Sequence, residues 1–88
     1  MSYKECSGDF KEWCYISESV KAHSFEVSYT NYPSTKGAIF AFVVSGLRGN
    51  SDDRIYRNEF PVYASHQADS VWQLACKDAE NWLVESTK

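Results

Sequence analysis

Between residues 65 and 86 the apolar side chains recur every three or four positions, and this pattern constrains the fold more than any other feature of the chain. At about 100° per residue, Ala68, Val71, Trp72, Ala75, Cys76, Ala79, Trp82 and Leu83 fall within an arc of about 140°, the width of a helix stripe that faces a core. Gln73, Lys77, Glu80 and Asn81 take the opposite side, while Leu74 and Val84 lie off the stripe. Such a helix cannot bury its stripe alone and needs a second layer. The small residues along the stripe predict close approach to a sheet. Ser65 is the expected N-cap, since its hydroxyl can accept from a free amide of the first turn, and Asp69 then sits where the helix dipole favours negative charge.

Three strands are predicted ahead of the helix. Phe25, Val27 and Tyr29 alternate with Glu26, Ser28 and Thr30, the period of a half-buried strand. Turn formers occupy residues 31–37, and residues 38–47 are apolar on both faces, as in a central strand. Gly46, Gly49, Asn50, Ser51, Asp52 and Asp53 mark a reversal into a third strand over 54–64. Pro61 cannot donate to a ladder, which places that strand at an edge or puts a bulge at the proline.

The N-terminal segment reads two ways. Asp9 and Glu12 form a capping pair for a helix with Phe10, Trp13, Cys14, Ser17 and Val20 on its stripe, whereas Trp13, Cys14, Tyr15 and Ile16 are a run of strand formers. The expected architecture is therefore α+β in a single domain over 1–88. It has an antiparallel sheet of three to four strands and a long C-terminal amphipathic helix on one face. The N-terminal segment, as helix or strand, is available to cover the other.

That second cover matters because the period of two gives the central strand two apolar faces, with Phe40, Phe42 and Val44 on one and Ile39, Ala41 and Val43 on the other. The third strand divides likewise, with Tyr56, Phe60 and Val62 against Ile55 and Tyr63. One helix covers one face. The remaining face needs either the N-terminal segment or another polypeptide.

Composition narrows the function classes. At 88 residues, 43% hydrophobic and 16% aromatic, the chain has the apolar content of a packed protein and lacks the profile of disorder. Its formal charge of −3 creates no field toward phosphate or anionic lipid, so nucleic acid is a disfavoured partner. No apolar run approaches the length of a membrane span, and no signal peptide is expected at the N-terminus. Cys6, Cys14 and Cys76 then fit reduced thiols and a cytoplasmic location.

Catalytic and ligand-binding patterns are not found. Cys6, Cys14, His23, His66 and Cys76 include no pair at the short spacing of zinc motifs, so no metal is expected. Cys76 lies on the apolar stripe, where a thiol is inert. The four glycines form no phosphate-binding pattern, and no cofactor is expected. With a helical N-terminus the order α-β-β-β-α resembles, in topology alone, that of the double-stranded-RNA-binding domain. Where that family carries a lysine-rich motif at the start of its last helix, this chain has Ala64, Ser65, His66, Gln67, Ala68 and Asp69.

The leading expectation is a non-enzymatic protein-binding module, an inhibitor or adaptor acting on a larger protein machine, present as monomer or homodimer. Small acidic proteins of this description occur among phage and mobile-element inhibitors of host defence such as anti-CRISPR proteins, an analogy of type only. The alternatives are a nucleic-acid-binding domain of αβββα topology and a small cysteine-dependent enzyme. The expected partner-binding residues are Arg48, Asp52, Asp53, Arg54 and Arg57 around the second hairpin, with Phe40, Phe42 and Tyr63 on the second sheet face.

Overall fold

The computed structural model describes residues 14–49 and 53–88. Four strands, β1 (Tyr15–Ile16), β2 (His23–Thr30), β3 (Phe40–Arg48) and β4 (Asp53–Val62), form one antiparallel sheet in the order β1-β2-β3-β4. A 3₁₀ turn (Ser65–Gln67) leads into the helix α1 (Ala68–Ser86), and the chain is an α+β protein. No helix among the described residues is long and apolar enough to cross a membrane.

The expected stripe is the face that α1 buries: Ala68, Trp72, Ala75, Cys76, Ala79 and Leu83 are buried, with Val71 and Trp82 packed at its margins. Beneath it lie Phe25 and Val27 of β2, Phe40, Phe42 and Val44 of β3, and Val62 of β4. Val27 stands opposite Val44, and Phe42 opposite Phe60, so each side chain meets its cross-strand neighbour on the helix side of the sheet. Phe42 bridges the layers, its ring 5.2 Å from that of Trp72 and 5.3 Å from that of Phe40, both in edge-to-face geometry. Each large apolar side chain so buried contributes about 1.5–3 kcal/mol.

This packing corrects the expected placement of Phe40 and Phe42. They lie under the helix, 2% and 0% exposed, not on the face opposite it. The alternation was sound, but the choice between faces depended on volume. Ala75, Cys76 and Ala79 leave room for large rings, which the Phe40, Phe42 and Val44 row supplies. On the opposite face β3 presents Ala41, Val43 and Ser45, flanked by Glu26, Ser28 and Thr30 of β2 and by Arg57 and Glu59 of β4. That face is largely polar at its flanks, and the central row of Ala41, Val43 and Ser45 is itself buried, so these residues do not form the expected exposed apolar surface.

Three local expectations also change. Tyr15–Ile16 is a strand, and Val20 pairs with His23 in a tight turn, so the helix with Ser17 and Val20 on its stripe does not form over these residues; Asp9, Phe10 and Trp13 lie outside the described residues. The strand is selected because the Tyr15 ring packs 5.6 Å from Phe25 while the Ser17 hydroxyl accepts from the Phe25 amide at 2.9 Å. Ser65 does not cap α1. The chain turns from extended Ala64 directly into the 3₁₀ turn, and the Gln67 side chain instead accepts from the Tyr63 amide. Of the two placements that Pro61 allowed, β4 takes the edge of the sheet among the described residues, and its irregularity lies opposite Gly46 and Leu47, not at the proline.

Candidate functional site

The second hairpin and the outer face of β4 gather the charged residues Arg48, Asp53, Arg54 and Arg57 of the expected site. Arg48, at the end of β3, faces Asp53, at the start of β4, across 3.4 Å, and both side chains are at least half exposed. Asp52 lies outside the described residues. Arg54 donates from Nη1 to the Ser45 hydroxyl at 3.1 Å and holds Nη2 3.9 Å from Glu26 on β2, so one guanidinium spans three strands. Arg57 donates to Glu59 Oε2 at 2.8 Å. Tyr63 is exposed but stands past the far end of β4, and Phe40 and Phe42 belong to the core. The structure thus brings Arg54 and Arg57 onto one face, keeps Arg48 and Asp53 at the hairpin, and separates the three aromatic residues from both.

Glu59 is the fixed point of this face. It accepts from Arg57, from the Ser34 hydroxyl at 2.7 Å and from the Ser34 amide at 3.2 Å, which ties the β2–β3 loop to the edge strand. The Ser34 hydroxyl, then the Arg57 guanidinium and the Ser34 amide, lower the Glu59 carboxyl to about 2, against a partly opposing contribution from burial. Its negative charge is therefore retained well into acid. Sequence reading missed Glu59, Ser34, Glu26 and Ser45 as members of the site. Ser34 with Glu59 and Glu26 with Arg54 are partners distant in sequence, and the contact of Ser45 with Arg54 crosses the hairpin, so no local pattern marks these residues.

A second polar cluster joins β4 to α1. The Tyr56 hydroxyl donates to Asp78 Oδ2 at 2.8 Å, and Asn58 donates to the same oxygen at 3.4 Å. The Tyr56 ring stacks on Trp82 at 5.7 Å, and His23 meets Trp82 in edge-to-face geometry at 6.1 Å. Burial, followed by the hydrogen bond and charge of Asp78, raises the Tyr56 hydroxyl above its ordinary value. A neutral donor held by a carboxylate is suited to fastening the edge strand to the helix and ill suited to act as a base or nucleophile near neutral pH.

Cys76 is buried in the helix stripe and Cys14 is exposed. His23 Nδ1 lies 2.8 Å from the Lys21 carbonyl oxygen, a contact that orients the ring within the tight turn. Among the described residues no three His, Cys, Asp or Glu side chains are grouped so as to hold a metal ion. Compared with known protein families, curated proteins and solved structures, the chain matches none.

Proposed function

We propose that this chain is a non-enzymatic protein-binding module, an inhibitor or adaptor that acts by occupying a surface of a larger protein machine. The observation that carries the reading is the pair Arg54 and Arg57: each guanidinium is held by partners within the sheet, yet the side chains are 58% and 59% exposed, respectively. Arginine is enriched among the residues that dominate protein interfaces, and a side chain already ordered in the free protein loses less freedom on binding. The alternating carboxylates Glu26 and Glu59 offset the local positive charge, which favours a mixed-charge protein surface over a phosphate backbone. A phage-type inhibitor of host defence remains the analogy of type, and it implies stoichiometric action.

Affinity purification of the tagged chain followed by calorimetry with the purified partner tests this reading. Charge reversal at Arg54 and Arg57 is expected to weaken binding at least about tenfold, and reversal at Arg48 or Asp53 less. Equal binding after all four reversals removes this face. Inhibition at a small fraction of the target concentration replaces the reading with an enzyme, and a submicromolar, steeply salt-dependent complex with duplex RNA replaces it with a nucleic-acid-binding domain.

A further inference from the structure

Among the described residues β4 has no neighbouring strand on the side away from β3, and the ladder shows which of its backbone groups face that side. Ser17 donates to the Phe25 carbonyl, so Phe25, Val27 and Tyr29 direct their backbone groups toward β1, and Ser24, Glu26 and Ser28 toward β3. Alternation along β3 then directs Phe40, Phe42, Val44 and Gly46 to β4, where their partners are Val62, Phe60, Asn58 and Tyr56. The Ile39 amide donating to the Val62 carbonyl agrees with this phase. Arg57 and Glu59 therefore point their N–H and C=O groups away from the sheet, at its open edge, and Pro61, which has no N–H to leave unsatisfied, shares that phase.

We infer that this edge pairs with β4 of a second copy of the chain, antiparallel about a two-fold axis through Asn58, to give a continuous eight-stranded sheet. In that register Arg57 of each copy stands opposite Glu59 of the other, with both exchanging backbone hydrogen bonds, and the intrastrand ion pair becomes a four-membered network. The neighbouring registers of the same phase put Arg57 against Arg57 or Glu59 against Glu59, and like charges directly opposite are repelled. The pattern is thus self-complementary in one register and discriminates against its neighbours. On the helix side Tyr56 of each copy meets Phe60 of the other, and both are partly buried aromatics already packed on the core. A second copy fits the charges of this edge without requiring a strand of another sequence.

Sedimentation equilibrium of the full chain, with amide hydrogen exchange on the same samples, tests the inference. The expected results are twice the chain mass and protection of the Arg57 and Glu59 amides that rises with protein concentration; the Asn58 and Phe60 amides, directed at β3, serve as references protected throughout. Arg57→Glu places two carboxylates opposite each other at both symmetry-related positions and is expected to weaken the dimer at least about tenfold, while Arg48→Glu leaves it unchanged. The wild-type exchange measurement keeps the test decisive even where a variant folds poorly. A monomer at NMR concentrations, rapid exchange of the Arg57 and Glu59 amides in the dimer, or a dimer indifferent to Arg57→Glu overturns the inference. Since it does not depend on a foreign partner, it stands or falls separately from the binding reading above.

Discussion

Single positions carry distinct physical burdens here, and Gly46 shows the plainest one. A Cβ at Gly46 would lie 2.5 to 2.7 Å from three atoms of the Trp82 ring, so the indole rests on backbone that only glycine leaves open. Gly46→Ala is expected to cost about 1–3 kcal/mol, measured by chemical denaturation. Ala22 is the reverse case. Lys21 and Ala22 both adopt left-handed backbone, φ 49° and 64°, in a two-residue turn that ordinarily takes asparagine and glycine. The turn is held by Gly49 donating to the Ala22 carbonyl and by the Lys21 ammonium donating to the Thr87 carbonyl at the end of α1. Ala22→Gly relieves the strain and is expected to raise stability by about 0.5–1 kcal/mol, after the added freedom of glycine in the unfolded chain is set against it. Glu59 makes stability depend on acid: its folded value is about 2 against an ordinary 4.5, so its contribution is complete above the ordinary value and is lost as pH falls toward 2. Glu59→Gln should flatten the pH dependence of the thermal midpoint in that interval, and an unchanged profile would show that the carboxylate is not held as described.

For the helix, stability depends on which side of its circumference is altered. Ala75 and Ala79 are fully buried between Trp72, Cys76 and the sheet, whereas Gln73 is exposed. Ala75→Asp or Ala79→Asp strands a charge in the layer contact and is expected to cost about 3–5 kcal/mol, enough to unfold a domain of this size, while Gln73→Ala shifts the midpoint by less than about 3 °C. Circular dichroism during thermal melting separates the two. The stripe was legible because helical period is a local property of sequence, as was the alternation of β2. The start of the helix was not: a serine before an apolar stripe satisfies the capping rule, but the sharp exit from β4 gave the first turn a 3₁₀ geometry and left Gln67 to serve the Tyr63 amide.

Among the described residues the sheet and α1 form two layers, and most of the aromatic side chains pack between them. Phe42→Glu is therefore expected to unfold the chain, since Phe42 is fully buried against Trp72. A folded, soluble Phe42→Glu protein that had merely lost association would return this residue to an outer surface. The polar outer face and the open β4 edge are different surfaces on one strand, which permits a dimer through the edge and a foreign partner on the face. Charge reversals at Arg54 should accordingly affect partner binding without changing the mass of the dimer, because Arg54 pairs inward with Ser45 and Glu26 and, in the proposed register, stands opposite the uncharged Val62 at the end of the second copy's strand.

The amino-acid pattern alone determined the α+β class, the buried face of the helix and the three long strands, and it left β4 either at an edge or bulged at Pro61, because periodicity, small-residue spacing and the missing N–H of proline act over a few neighbouring residues. Only the tertiary structure decided which face of β3 meets the helix, since Phe40, Phe42 and Val44 compete with Ala41 and Val43 for one cover and the outcome depends on the volume left by Ala75, Cys76 and Ala79. It also decided the strand at Tyr15–Ile16, where a marginal local preference yields to pairing with Glu26 and Val27. The polar site was the least legible part. Ser34 with Glu59, Glu26 with Arg54 and Tyr56 with Asp78 are partners separated by 20 or more residues, and what brings them together is the register of the sheet and the helix laid across it.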